Sequence, residues 1–132
     1  MLRDIFPILL DGQPAPRSCH IWESSRFPLD VPPDAPKASG GLSAATYELF
    51  AGMIEFGLSI DLTEIVPVTD ARMERILRHG LALRPIGKAR PVGNTVAIAG
   101  YLEISTDALA RIRKMGRLAG PALWAPGIRA AA

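Results

Sequence analysis

Cysteine is nearly absent from this sequence, where Cys19 stands alone among 132 residues. One thiol excludes an intrachain disulfide and any metal site built from several cysteines of one chain. Aromatic residues are few, two Trp, two Tyr and four Phe. They are not interleaved with basic residues in the manner of a single-strand nucleic-acid groove, which argues against a nucleic-acid-binding domain. Long apolar runs are missing as well. The longest candidate, residues 49–62, is interrupted by Glu55, Ser59 and Asp61, well short of the roughly 20 apolar residues that span a bilayer. The opening also lacks a basic-then-apolar leader, because Met1, Leu2, Arg3 and Asp4 run into Ile5, Phe6 and Pro7 with an early acid and an early proline. These absences predict a cytoplasmic protein with no membrane association and no metal centre.

What is present is enough apolar material for one domain: 48% of the residues are hydrophobic and 21% charged. A chain of this size can bury roughly two-thirds of its unfolded surface. Net charge is only +2, but it is unevenly spread. Residues 1–70 hold four basic and ten acidic side chains, whereas residues 71–132 hold eleven basic and three acidic. A basic half of this kind faces an acidic partner, for which nucleic acid, anionic lipid and an acidic protein are the candidates, or else forms solvated helix faces.

Twelve prolines and twelve glycines punctuate the chain. They mark loops at residues 12–17 and 28–41 and a frayed or disordered tail from residue 116 to residue 132. Between the joints, residues 20–27 read as a strand. Ser43 is placed to cap a helix over residues 44–58, with Phe50, Met53, Ile54, Gly57 and Leu58 on its apolar stripe and Glu48 and Glu55 facing out. Residues 64–69 read as a strand, and Asp70 as the cap of a helix ending at Gly80, with Glu74 and Arg78 spaced for an ion pair. Residues 82–86 and 95–104 predict further strands, residues 87–93 a turn, and Ser105 or Thr106 starts a last helix. Strands alternating with helices predict a mixed sheet covered by helices, of α/β or α+β class.

The densest polar cluster inside an apolar strand is Trp22, Glu23, Ser24, Ser25, Arg26 and Phe27. A carboxylate and a guanidinium there are costly to bury unless paired. Three positions apart, Glu23 and Arg26 point to opposite faces of a regular strand, so sharing one site demands a bulge at Ser24 and Ser25. A solvated edge strand with a surface ion pair is the alternative. Cys19 with His20 makes a poor nucleophile and base, since neighbouring strand residues point apart. His79 reads as a helix-end cation.

These residues resemble the acyl-homoserine-lactone synthases, also called autoinducer synthases. The blocks that carry the resemblance are Leu2 to Pro7, His20 to Phe27, Glu48 to Phe56, Glu64 to Val66, Val68 to Leu77, and Gly93 to Thr95 with Ala99 to Leu102, all in order along the chain. The resemblance implies a fold like the N-acetyltransferases: a three-layer sandwich of a twisted mixed sheet with helices on both faces, here N-terminally truncated, with residues 1–115 forming the C-terminal two-thirds of the family domain. Two central strands, residues 20–27 and 64–69, would splay into a V. It also implies an enzyme that joins an acyl group from acyl carrier protein to the amine of S-adenosylmethionine, a substrate rather than a cofactor, and then closes a lactone. Glu23 matches the family's catalytic glutamate, as a buried base, and Arg26 its arginine clamp. Ser25, Phe27, Phe50, Met53, Ile54, Val66, Pro67 and Thr69 would line the substrate and acyl pocket. Arg72, Arg75, Arg78, Arg84, Lys88 and Arg90 would dock the acidic carrier protein.

Two departures bear on function. Family members carry an additional N-terminal region that helps bind S-adenosylmethionine, and Pro67 stands where many have threonine. The second reading is therefore a catalytically inactive remnant that keeps a carrier-protein-binding surface.

Overall fold

The computed structural model describes residues 1–25 and 31–123. Among these residues there are five strands: β1 (Ile21–Ser24), β2 (Glu64–Asp70), β3 (Arg84–Pro85), β4 (Arg90–Val92) and β5 (Thr95–Glu103). Three α-helices accompany them, α1 (Ala44–Ser59), α2 (Ala71–Leu81) and α3 (Thr106–Gly116), with short 3-10 turns at Pro7–Leu10 and Ser39–Gly41. The sheet order is β1-β2-β5-β3, with β4 pairing farther along β5. β1 and β2 are parallel and the remaining pairs antiparallel, so the sheet is mixed. Adjacent parallel strands need a crossover, and α1 supplies it.

Local chemistry sets the helix starts. Ser43 accepts the Thr46 N–H at 3.2 Å, Asp70 accepts that of Met73 at 2.8 Å, and Ser105 accepts that of Ala108 at 3.1 Å. Each satisfies one of the amide donors that a helix leaves open at its first turn. The Glu74–Arg78 pair also forms, at 2.6 Å. The end of α2 differs from expectation. Gly80 lies inside the helix, and Ala82 is the residue that turns left-handed, at φ 52°. Leu77 and Leu81, one turn apart, are both buried, so burial carries the helix past the glycine.

The two sheet faces have separate cores. On one, α1, α2 and α3 bury Phe50, Ile54, Leu77 and Ile112 against Ile65 and Leu102. On the other, the N-terminal segment lays Leu2, Leu9 and Leu10 on Val66, Ala97 and Ala99. Helical structure thus lies on both sides, three full helices against a single 3-10 turn. The expected strand over residues 82–86 shrinks to the two-residue β3. Conversely, part of the expected turn at residues 87–93 is β4, which folds back on β5 through Gly93 and Asn94. Gly93 takes φ 59°, the left-handed backbone that a two-residue hairpin turn with glycine first requires.

Glu55 does not face outward. Its side chain is 11% exposed and holds Arg113 at 3.0 Å. It also accepts the N–H groups of Ala122 at 3.0 Å and Leu123 at 2.9 Å. The stretch after Gly116, expected to fray, is therefore docked as far as Leu123, with Leu118 and Ala122 against the helix-side core. Burial pushes the Glu55 carboxyl up, but the Leu123 and Ala122 N–H groups and the Arg113 guanidinium outweigh it and hold the net value below the usual carboxylate range. A depressed carboxylate contributes stability above its unfolded value, and that stability is lost as pH falls through the folded one. Chemical denaturation at stepped pH should show stability declining on acidification below the ordinary glutamate range. Glu55→Gln should flatten that decline, and an unchanged slope would remove the latch from the account.

Candidate functional site

The site expected from the sequence lies at the end of β1, where its pairing with β2 stops. The register runs Ile21 to Glu64, Trp22 to Ile65, Glu23 to Val66 and Ser24 to Pro67. Over these four residues the strands are hydrogen-bonded neighbours, so the expected V does not open within Ile21–Ser24. Pairing stops at Pro67, which has no N–H to give a ladder, while β2 continues to Asp70 against β5 alone. Any opening between the strands begins at this point. The register also shows no bulge through Ser24, and Ser25 already lies outside the strand. Arg26 and Phe27, expected in the same site, fall outside the described residues.

Glu23 shares the Val66 face, under the N-terminal segment. Its side chain is 31% exposed, so the buried acid expected there is instead half-open. The carboxylate accepts the Leu2 N–H at 3.2 and 3.3 Å and lies 2.7 Å from the Met1 nitrogen. A carboxylate held by nitrogen donors near the end of the β1–β2 pairing has the chemistry to hold an amine and take its proton. Behind it, on the helix side, Ser24 Oγ is buried without a hydrogen-bond partner.

Side-chain alternation separates the expected pocket residues. Ile65 faces the helices and Val66 the N-terminal segment, so Pro67 and Thr69 join Ile65, and the sheet stands between them and Val66. Phe50 and Ile54 are 2% and 1% exposed and belong to the packed core, and Met53 is partly buried beside them. The void that Tyr47, Phe50, Leu77 and Ile112 line is about 10 Å³, room for one water and not for an acyl chain.

The six expected docking cations divide in two. Arg78 is held by Glu74, Arg84 pairs with Glu64 and lies over the Tyr101 ring, and Arg90 pairs with Asp11 at 2.6 Å. The Arg90 guanidinium and the Lys88 N–H keep the Asp11 carboxyl below its ordinary value. Among the described residues the side chains of Arg72, Arg75 and Lys88 make no ion pair. Arg72 and Arg75 border a groove of about 410 Å³ with Ile76, His79, Met115 and Leu42. Sequence reasoning missed this groove and treated His79 only as a helix end. The signal was there, because residues 72, 75, 76 and 79 recur at the spacing of one helix face.

Residues 1–112 match the family described as autoinducer synthase. The chain belongs to that family. A probable acyl-homoserine-lactone synthase of Sinorhizobium fredii is 42% identical over 114 residues, covering 86% of this chain and 55% of that protein. An acyl-homoserine-lactone synthase of Agrobacterium fabrum is 37% identical over 133 residues, covering 100% of this chain and 63% of that protein. Among solved structures, the synthase LasI superposes with a TM-score of 0.74 at 30% identity, over 87% of this chain and 57% of LasI. MesI, a CoA-dependent acyl-homoserine lactone synthase, does so with a TM-score of 0.72 at 26% identity, over 90% of this chain and 57% of MesI. This autoinducer synthase chain therefore spans a little over half the length of the relatives it matches. No helix among its described residues is long and apolar enough to cross a membrane.

Proposed function

We propose that this chain carries the acyl-transfer centre of an acyl-homoserine-lactone synthase acting in the cytoplasm. The amine of S-adenosylmethionine attacks the carbonyl of an acyl thioester; a C–N bond forms, the C–S bond breaks and the carrier thiol leaves. The methionine carboxylate then attacks its own γ-carbon, closing the lactone as methylthioadenosine departs. Only a neutral amine is a nucleophile, so the first step needs a proton acceptor, and Glu23 is that group. By the family resemblance Arg26 clamps the anionic end of the substrate, and Ser25 and Phe27 are substrate-binding residues. The acyl chain enters where the β1–β2 pairing ends, at Ser24 and Pro67. No metal or cofactor takes part. The observation that supports this reading is the position of Glu23, one residue before β1–β2 pairing ends against a proline.

The thioester carrier is acyl carrier protein, an acidic partner suited to Arg72 and Arg75, which make no ion pair among the described residues. A coenzyme A thioester is the alternative, favoured by the CoA dependence stated for MesI. The purified protein, incubated with S-adenosylmethionine and either donor, should release methylthioadenosine and lactone detectable by mass spectrometry. Reversing both charges with Arg72→Glu and Arg75→Glu should raise KM for the carrier-protein donor by roughly tenfold or more while kcat changes little, most strongly at low salt. Binding of the carrier protein without product from either donor would leave only the inactive-remnant reading.

A further inference from the structure

We infer that Ser24 is a specificity-determining residue of the acyl site, its hydroxyl donating a hydrogen bond to an oxygen on the third carbon of the acyl chain. The inference rests on the acyl-transfer reading and adds the class of donor to it: a thioester oxygenated at that carbon, as hydroxyl or ketone, is preferred to a plain one.

Folded proteins leave few buried polar atoms unpaired, because each gives up its hydrogen bonds to water without return. Among the described residues two buried side-chain atoms lack a partner, Ser24 Oγ and Arg113 Nε. The Arg113 guanidinium is held by Glu55 through a terminal nitrogen at 3.0 Å, so that group is already engaged. Ser24 has no such contact. Its hydroxyl is closed off from solvent with both its proton and its lone pairs uncommitted.

Its place in the sheet points to the missing partner. Ser24 is the last residue of β1 and stands opposite Pro67, where the β1–β2 register ends. Pro67 is fully buried and offers neither a hydroxyl nor an N–H at that point. Farther along β2 on the same face is Thr69, 7% exposed. Its hydroxyl donates to the Asp70 carbonyl at 3.2 Å and is left able only to accept. A ketone oxygen also only accepts, so of these two hydroxyls Ser24 is the one that can serve it.

Side-chain alternation sets Glu23 and Ser24 on opposite faces of β1. An amine held at Glu23 attacks the thioester carbon from one face, and the acyl chain runs on toward the other. Ser24 therefore meets the chain a few bonds beyond the reacting carbonyl. Condensation of two thioesters leaves an oxygen on the third carbon, which makes donors of this kind a defined chemical class. A site with a committed hydrogen-bonding group rejects an analogue without the matching oxygen more sharply than an apolar pocket sorts chains by size.

Calorimetric binding without S-adenosylmethionine, which needs no turnover, compares octanoyl and 3-hydroxyoctanoyl thioesters of coenzyme A and of acyl carrier protein on the full chain. The oxygenated donor should bind roughly tenfold more tightly, and Ser24→Ala should bring the ratio close to one by weakening that donor. In the free protein the same variant should keep or raise the unfolding midpoint, since it removes a buried hydroxyl that bonds to nothing. A midpoint lowered by several degrees would show that the hydroxyl already has a partner, such as a buried water, and overturns the inference. A preference that survives Ser24→Ala and vanishes in Thr69→Val overturns it too. Equal binding of the two donors by the unsubstituted chain removes this inference and leaves the acyl-transfer reading intact, whereas binding of neither thioester removes both.

Discussion

Glu23→Gln should lower lactone formation by roughly 10²- to 10⁴-fold, the range that a positioned general base supplies, and leave the unfolding midpoint nearly unchanged. Glutamine has the same length and keeps an oxygen that can accept the Leu2 N–H now bound at 3.2 Å. It cannot take a proton from an attacking amine. The pairing of Glu23 with Val66 in the β1–β2 register is a backbone matter and survives the change. Glu23→Ala should remove activity to the same extent but also release the N-terminal segment, seen as faster amide exchange at Leu2. Single-turnover assays at saturating S-adenosylmethionine separate the chemical step from binding. If the glutamine variant turns over like wild type, the proton leaves by another route and Glu23 is only the tether of Leu2.

Phe50→Ala carries the largest expected stability loss, about 3–5 kcal/mol. Phe50 is 2% exposed and packs among the residues that α1 and α3 bury on the sheet. Truncating it leaves a cavity that close-packed neighbours fill only in part. For a domain of this size the midpoint should fall by roughly 10–20 °C, measurable by calorimetry or denaturant titration. Phe56→Ala, whose ring is 42% exposed, should cost far less. The comparison also decides between two roles for position 50. A variant that keeps its stability and accepts longer acyl donors would restore Phe50 to the acyl pocket in which the family resemblance places it, and a collapse in stability confirms the packed core.

Legibility followed the range of the interactions involved. The starts of α1, α2 and α3 were readable because Ser43, Asp70 and Ser105 each bond an amide three residues ahead, which involves no other part of the chain. The Glu74–Arg78 pair was readable for the same reason. The end of α2 was not, because the burial of Leu81 against distant residues outweighed the glycine signal. Glu55 looked like a solvent-facing charge by helical period, yet Arg113 and the amides at 122 and 123, nearly sixty or more residues away, turn it inward. Likewise the residues expected to line one pocket were a set in sequence but not in space. Val66 and Pro67 are neighbours in the chain and occupy opposite faces of β2.

The order of family blocks, the helix caps, the split of charge between the two halves and the identity of Glu23 as the acid of the cluster were all determined by the sequence itself, since each rests on residue type or on contacts within a turn. Only the tertiary structure decided that β1 and β2 run paired until Pro67, that Glu23 is half-open and held by Leu2, and that among the described residues Arg72 and Arg75 make no ion pair while Arg78, Arg84 and Arg90 are engaged. Those outcomes depend on which distant groups compete for the same donor, acceptor or buried volume, and that competition exists only once the chain has folded on itself.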